Sequence, residues 1–190
     1  MEKKSAIVFE WFFKWFYKFR GWRLGENLSA EMKKCVMIVA PHTSAWDFVY
    51  GAGAKLLLNL DVKFLMKKEV FRWPLKNMFL RLGGVPVDRS KNQGLTEAMI
   101  EYIKTHERAA IVYPAEGTRR RVTKWRKGFY YAALGANVPI VLSYIDFKEK
   151  KAGIGPSFMP SGDITRDFEI IRNFYRNITP CKPENFALPE

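Results

Sequence analysis

Five short apolar runs recur along the chain, and helical patterning fills the segments between them. The runs are CVMIVA (35–40), VKFLM (62–66), GVPV (84–87), AAIVY (109–113) and PIVLSYI (139–145). Each predicts a strand, mostly buried. Residues 44–59, 68–82, 92–106 and 124–135 predict helices, and DITRDFEIIRNFYRNI (163–178) predicts a last, amphipathic one. Strand and helix alternating at this rhythm specify an α/β fold: a single domain with a central, mostly parallel sheet flanked by helices. In such sheets, sites form where strands end and the chain turns into helices. His42 follows the first run, Arg89 the third and Glu116 the fourth, so the three are predicted to converge on one sheet edge.

A chain of 190 residues fits one domain, and 48% hydrophobic residues exclude a disordered one. The formal net charge is +13, which favours anionic partners: phosphate groups, nucleic acid or an anionic membrane surface. Cys35 and Cys181 lie far apart and read as free thiols. With two cysteines and two histidines, no zinc site is expected.

The N-terminal region is crowded with aromatic residues. Eight of the eleven residues from Phe9 to Phe19 are Phe, Trp or Tyr. Glu10, Lys14 and Lys18 are spaced four apart, so on a helix they form one narrow polar stripe beside a broad apolar arc. Charges interrupt the stretch too often for a signal peptide or a membrane span. Residues 1–24 are therefore expected to form a membrane-interfacial helix, and residues 25–190 the remaining domain. The competing reading is an ordinary core helix. A second stretch, Gly128 to Ile145, carries no charge over eighteen residues. Gly135, Asn137 and Pro139 punctuate it, so a helix ending near Gly135 followed by a buried strand is expected rather than a span.

Three segments carry candidate chemistry. In APHTSAWDF (40–48), His42 precedes Asp47 by five positions. Ser44 and Asp47 have capping-box spacing, so Asp47 closes a helix N-terminus on one reading. On the other it holds one ring nitrogen of His42, leaving the second free to take a proton from a hydroxyl. The two readings are compatible. In YPAEGTRRR (113–121), an acid and a glycine lead into a basic run, with six Lys or Arg among the nine residues from Arg119 to Lys127. That run is a solvated loop or a phosphate grip. In LGGVPVDRS (82–90), Arg89 stands at the end of a strand, in a surface turn or as a bidentate phosphate ligand.

Taken in order, these segments resemble the glycerolipid acyltransferases, and within them the 1-acylglycerol-3-phosphate (lysophosphatidic acid) acyltransferases. The resemblance rests on His42…Asp47, Gly83…Arg89, Glu116-Gly117-Thr118-Arg119 and Val138-Pro139-Ile140, with Lys127-Gly128 in a basic-glycine-aromatic segment. It covers about residues 36 to 145. The departures are Pro41 where asparagine is common, Ala115 before the glutamate, and Arg120 where serine is common. They leave the chemistry intact and the acceptor's identity open.

The resemblance implies the glycerol-3-phosphate acyltransferase-like fold, with His42 and Asp47 catalytic. Arg89, Glu116, Gly117, Thr118, Arg119 and Lys127 would bind the acceptor. It implies no cofactor and no metal, only an acyl thioester of coenzyme A or acyl carrier protein as co-substrate. It also implies a lysophospholipid acceptor and a peripheral place on the cytoplasmic face of a membrane. An amino-acid lipid or another lysolipid is the alternative acceptor. A non-enzymatic binder of anionic lipid or nucleic acid is the alternative class. Ordered His, Arg and Glu-Gly-Thr-Arg blocks favour the enzyme, and no nucleic acid is expected.

Overall fold

The computed structural model describes residues 2–73, 76–87 and 94–190. Its centre is a seven-stranded sheet: β1 (Arg23–Leu24), β2 (Lys34–Val39), β3 (Val62–Lys67), β4 (Gly84–Val87), β5 (Ala109–Pro114), β6 (Ile140–Asp146) and β7 (Lys151–Phe158). Their spatial order is β1-β7-β6-β2-β5-β3-β4. Every neighbouring pair is parallel except β6 and β7, which form an antiparallel hairpin. The predicted mostly parallel α/β sheet is what forms. The helices are α1 (Glu2–Arg20), α2 (Ala45–Leu57), α3 (Lys76–Arg81), α4 (Leu95–Thr105), α5 (Gly128–Ala136) and α6 (Ile164–Tyr175).

Alternation along β2 divides the core. Val36 and Ile38 pack with Met99 and Ile103 of α4, Phe129 and Ala133 of α5, and Phe168 and Ile171 of α6. Cys35 and Met37, pointing the other way, pack with Val62, Val112, Val141 and Ile154 of neighbouring strands. The first face is closed by three helices. Over the second lies α2, which brings Tyr50 and Ala54 against Tyr17 of α1, with Trp22, Ile145 and Ala152. Burial of Cys35 pushes its thiol up to about 12, which makes it an inert packing group.

The sequence reading departs from the structure in three places. Residues 68–82 do not form one helix. A 3₁₀ turn at Lys68–Val70 and the short α3 replace it, because Pro74 removes a backbone donor and disfavours helical geometry at Trp73. The helix expected from 124 starts only at Gly128. Trp125 instead sinks into the core, and the Arg126 N–H donates to the Ala115 carbonyl over 2.8 Å. Strands β1 and β7 were not anticipated. Gly153, Gly155 and Pro156 hide the strand signal of KAGIGPSF. The two glycines sit where neighbours press close: a Cβ at Gly153 would lie 2.7 Å from the Gly25 Cα, and one at Gly155 would meet the Phe174 ring. The uncharged stretch resolves as expected, with α5 stopped by Asn137 in the left-handed conformation and β6 following.

The aromatic helix α1 has three surfaces. Phe13, Phe16 and Tyr17 turn inward, and the Tyr17 hydroxyl donates to the Tyr50 carbonyl at 2.5 Å. A Cβ at Gly53 of α2 would stand 2.7 Å from both the Phe13 and the Tyr17 ring, so a glycine is what lets the helices meet. Glu10 and Lys14 pair along the polar stripe. The remaining arc exposes Trp11, Phe12, Trp15 and Phe19. Among the described residues, no helix is long and apolar enough to cross a membrane.

Candidate active site

The C-terminal ends of β2 and β5 lie side by side, with Val39 opposite Pro114. The loops that leave them, 40–44 and 115–127, therefore start as neighbours. In the first, the Ala40–Pro41 peptide is cis and His42 follows it. In the second, Ala115 and Glu116 turn inward while Arg119 stays exposed.

Asp47 sits in the first turn of α2, where the predicted capping role is formed. Its Oδ2 accepts the N–H of Ser44 (2.7 Å) and of Thr43 (2.6 Å), while Ser44 Oγ accepts the Trp46 N–H (3.2 Å). This reciprocal cap fixes the start of the helix. The same Oδ2 stands 3.5 Å from His42 Nδ1, an ion-pair distance rather than a formed hydrogen bond. Asp47 Oδ1, though buried, has no partner among the described residues.

Glu116 is 3% exposed, and its Oε1 accepts the backbone N–H of His42 at 2.7 Å. Burial lifts its carboxyl to about 8; the His42 N–H partly offsets that, and the Asp47 carboxylate adds to it. Glu116 thus lies beneath the histidine loop, with one oxygen already engaged. Gly117 takes φ +68°, and a Cβ there would lie 2.3 Å from Arg126 Nε, so only glycine lets that guanidinium fold over the turn. Thr118 Oγ1 accepts the Arg120 N–H at 3.2 Å and rounds off the turn. Arg119, Arg120, Arg121, Lys124, Arg126 and Lys127 are all exposed, and none pairs with a carboxylate among the described residues. Lys127 is the residue from which α5 starts. Arg89 lies outside the described residues.

His42 and Asp47 border a cavity of about 370 Å³ between α2 and the second sheet face. Its walls are Phe48, Gly51, Ala52 and Leu58 from the helix side and Met37, Val39, Phe64, Val112 and Ile154 from the strands. Apart from the Tyr144 phenol, the ionisable groups among the residues that line it are His42, Asp47 and Lys55, the last with burial lowering its ammonium pKa. Motif spacing could not reveal this space, because it arises from the gap between a helix and a sheet.

The structure therefore brings together His42, Asp47 and Glu116, sets Gly117 to Arg119 and Lys127 along the same loop, and adds an apolar chamber. Thr43, fully enclosed at 3% exposure, is a site residue that spacing alone did not single out.

The family model described as Acyltransferase matches residues 23–145. Over 119 residues the chain is 28% identical to proteins named 1-acyl-sn-glycerol-3-phosphate acyltransferase from Limnanthes alba and Limnanthes douglasii, covering 60% of this chain and 41% of each of theirs. The chain thus spans less than half the length of the curated relatives it matches. Among solved structures it is similar to the 1-acyl-sn-glycerophosphate (LPA) acyltransferase PlsC from Thermotoga maritima. The TM-score is 0.57 at 20% identity, over 92% of this chain and 76% of that one, a likeness of fold. Because the family match runs from β1 almost to the end of β6 and takes in both loops that meet at His42, the chain belongs to the Acyltransferase family.

Proposed function

We propose that this chain is an acyltransferase that moves a fatty acyl group from a thioester to the hydroxyl of a lysophospholipid, 1-acylglycerol-3-phosphate before others. The observation that carries this reading is His42, with Asp47 behind it, at the border of an apolar cavity of about 370 Å³. The cavity suits an acyl chain, and the chain's carbonyl would then lie beside the imidazole. His42 takes the acceptor's proton as its oxygen forms a bond to the carbonyl carbon. The C–S bond breaks, and the proton passes from His42 to the departing thiolate. A thiol near pKa 8.5 leaves without metal assistance. Arg119 and Lys127, which pair with no carboxylate among the described residues, are assigned to the acceptor's phosphate together with Arg89 of the Gly83…Arg89 block, and Gly117 and Thr118 to shaping the turn that presents the cations. Glu116 keeps its assignment to the acceptor site through the carboxyl oxygen that His42 does not hold.

The reading extends to a membrane surface. Trp11, Phe12, Trp15 and Phe19 form an exposed aromatic arc. Beside it, pairing of Arg23 with Lys151 brings the exposed Lys148 and Lys150 of the β6–β7 turn next to the exposed Lys18, Arg20 and Arg23. Rings at headgroup depth flanked by cations fit an anionic leaflet, reached from the cytoplasmic side by a peripheral protein. The donor is acyl-CoA or acyl carrier protein.

The deciding experiment incubates purified protein with lysophosphatidic acid, neutral and zwitterionic lysolipids and a lyso amino-acid lipid, each with acyl-CoA and with acyl carrier protein thioester. Fastest transfer to lysophosphatidic acid, abolished in His42→Ala, is the expected result. Preference for an amino-acid lipid would move the acceptor assignment. No transfer to any acceptor, with retained binding to anionic vesicles, would favour a non-enzymatic binder.

A further inference from the structure

Residues 179–190 lie outside the family match and outside every motif, yet they touch both loops of the site. The backbone N–H of Lys182 donates to Thr43 Oγ1 at 3.2 Å, and Asn185 Nδ2 reaches the Thr43 carbonyl at 3.5 Å. A few residues on, the Ala187 carbonyl accepts the Trp125 indole N–H (3.2 Å), and the Glu190 N–H donates to the Thr123 carbonyl (3.0 Å). Arg172 of α6 holds the Pro189 carbonyl at 3.3 Å, and Phe186 and Leu188 pack on the main core. The segment is thus a strap anchored at α6 and tied across loops 40–44 and 115–127.

Thr43 is where the strap meets the chemistry. Its N–H is one of the two that hold Asp47 Oδ2, and its hydroxyl and carbonyl face the strap. Loop 40–44 has no helix or strand of its own to hold it. Beyond the Asp47 cap it is gripped at His42 by Glu116 and at Thr43 by residues 182 and 185. We propose that Thr43 is a positioning residue, through which the strap of residues 179–190 sets the distance and angle between Asp47 and His42. The inference rests on the reading of His42 as the base. A displacement of about 1 Å at a reacting group is enough to slow a step about 100-fold, so a loop held at its middle matters more than its stability contribution suggests.

Thr43→Val keeps the β-branched shape and the backbone N–H to Asp47 but removes the hydroxyl that accepts from Lys182. The bond from Lys182 is only part-buried, so melting should change little. The chain has two histidines, and His106, stacked on Tyr102 at a 3.8 Å ring separation and exposed, serves as an internal reference. The experiment compares the parent, Thr43→Val, Thr43→Ser and Asn185→Ala in two ways. One is kcat and KM for both substrates; the other is the imidazole ¹⁵N spectrum of the full chain without substrate. The expected result is a fall in kcat of about tenfold or more in Thr43→Val with KM within about twofold. The His42 resonances move while those of His106 stay, and Thr43→Ser restores both. A folded Thr43→Val with parental kcat and an unmoved His42 signal overturns the proposal. So does a parallel loss of kcat, KM and melting temperature, which marks a merely structural contact. If the parent transfers no acyl group, the functional reading fails and the ¹⁵N arm still decides the positioning claim. If Thr43→Val does not fold, Asn185→Ala, which leaves the loop's own residues intact, carries both readouts.

Discussion

The backbone N–H of His42 donates to the buried carboxyl of Glu116 across 74 positions of sequence, at 2.7 Å. That bond joins the loops after β2 and β5 and makes the glutamate a support of the histidine loop, whatever else its second oxygen binds. Glu116→Ala leaves a buried N–H without a partner and should destabilise the fold by about 1–3 kcal/mol. Glu116→Gln keeps a carbonyl acceptor and should melt close to the parent at low pH. Thermal unfolding of the three proteins checks this.

The same residue sets a pH dependence. Burial, with a smaller push from Asp47, holds the Glu116 carboxyl at about 8 against an ordinary 4.5. Between those values the folded protein keeps a proton that the unfolded chain has released. Stability contributed by this group therefore falls as pH rises from about 4.5 to about 8, and is flat beyond either end. Glu116→Gln has no proton to lose, so the melting-temperature difference, parent minus variant, should decrease steadily across that window. Parallel curves would show that the carboxyl is not raised.

For the proposed base, His42→Ala should lower kcat by about 10²–10⁴-fold with the fold intact, since the ring borders the cavity rather than the core and the loop is held through its backbone. Asp47→Asn separates the two roles of that residue. Its amide oxygen can still accept the Thr43 and Ser44 N–H groups, so the cap survives. The carboxylate behind His42 does not, so kcat should fall strongly while melting changes little. Asp47→Ala loses both and should cost about 1 kcal/mol of stability as well.

Chamber and acceptor loop should separate in kinetics. Gly51 faces the β6 residue Ile145 with room for a Cβ (3.5 Å) and lines the cavity, so Gly51→Leu fills the chamber without breaking α2. Long-chain thioesters should then lose about tenfold or more in kcat/KM, and short-chain ones little. Arg119→Ala should instead raise KM for a phosphorylated acceptor about tenfold or more and leave a neutral acceptor unaffected. Equal losses with both acceptors would make Arg119 structural.

Five strands are legible because each is a short, largely apolar run between turn residues; β2, β5 and most of β6 are buried as expected, whereas β3 and β4, at the sheet's edge, are only half-buried. His42 and Asp47 were legible because their contact is local, carried by one helical cap. What stayed hidden is what distant segments make together. Strand β7 looks like a loop because Gly153 and Gly155 stand where Gly25 and Phe174 press against it. The bond from His42 to Glu116, the strap on Thr43 and the chamber under α2 exist only once strands β2 and β5 lie side by side. The aromatic helix is expected to be interfacial, with a core helix as the competing reading, and its residues divide: Phe13, Phe16 and Tyr17 join the core, whereas Trp11, Phe12, Trp15 and Phe19 are left outside.

That division dictates how the membrane proposal is tested. Removing residues 1–20 outright would expose Tyr50 and Trp22, which stack at 3.8 Å beneath α1, and strip the Tyr17 hydroxyl from the Tyr50 carbonyl. Such a truncation confuses binding with folding. The sharper variant is the triple Trp11→Ser, Trp15→Ser, Phe19→Ser. These side chains are 68%, 52% and 73% exposed, so the fold loses little by their removal. The Trp15 and Phe19 rings stack on each other at 5.2 Å, which makes them one apolar unit for insertion at headgroup depth. With them gone, Phe9 and Phe12 are the exposed rings left on α1 beside the cations Lys18, Arg20, Lys148 and Lys150, and binding should become mainly electrostatic. In sedimentation with anionic vesicles, the parent should stay bound at high salt, whereas the triple variant should bind at low salt and release as salt rises. Its activity on bilayer-embedded acceptor should fall, and its activity on short-chain, water-soluble acceptor should match the parent. A triple variant that sediments like the parent at every salt concentration would place the membrane contact on another surface.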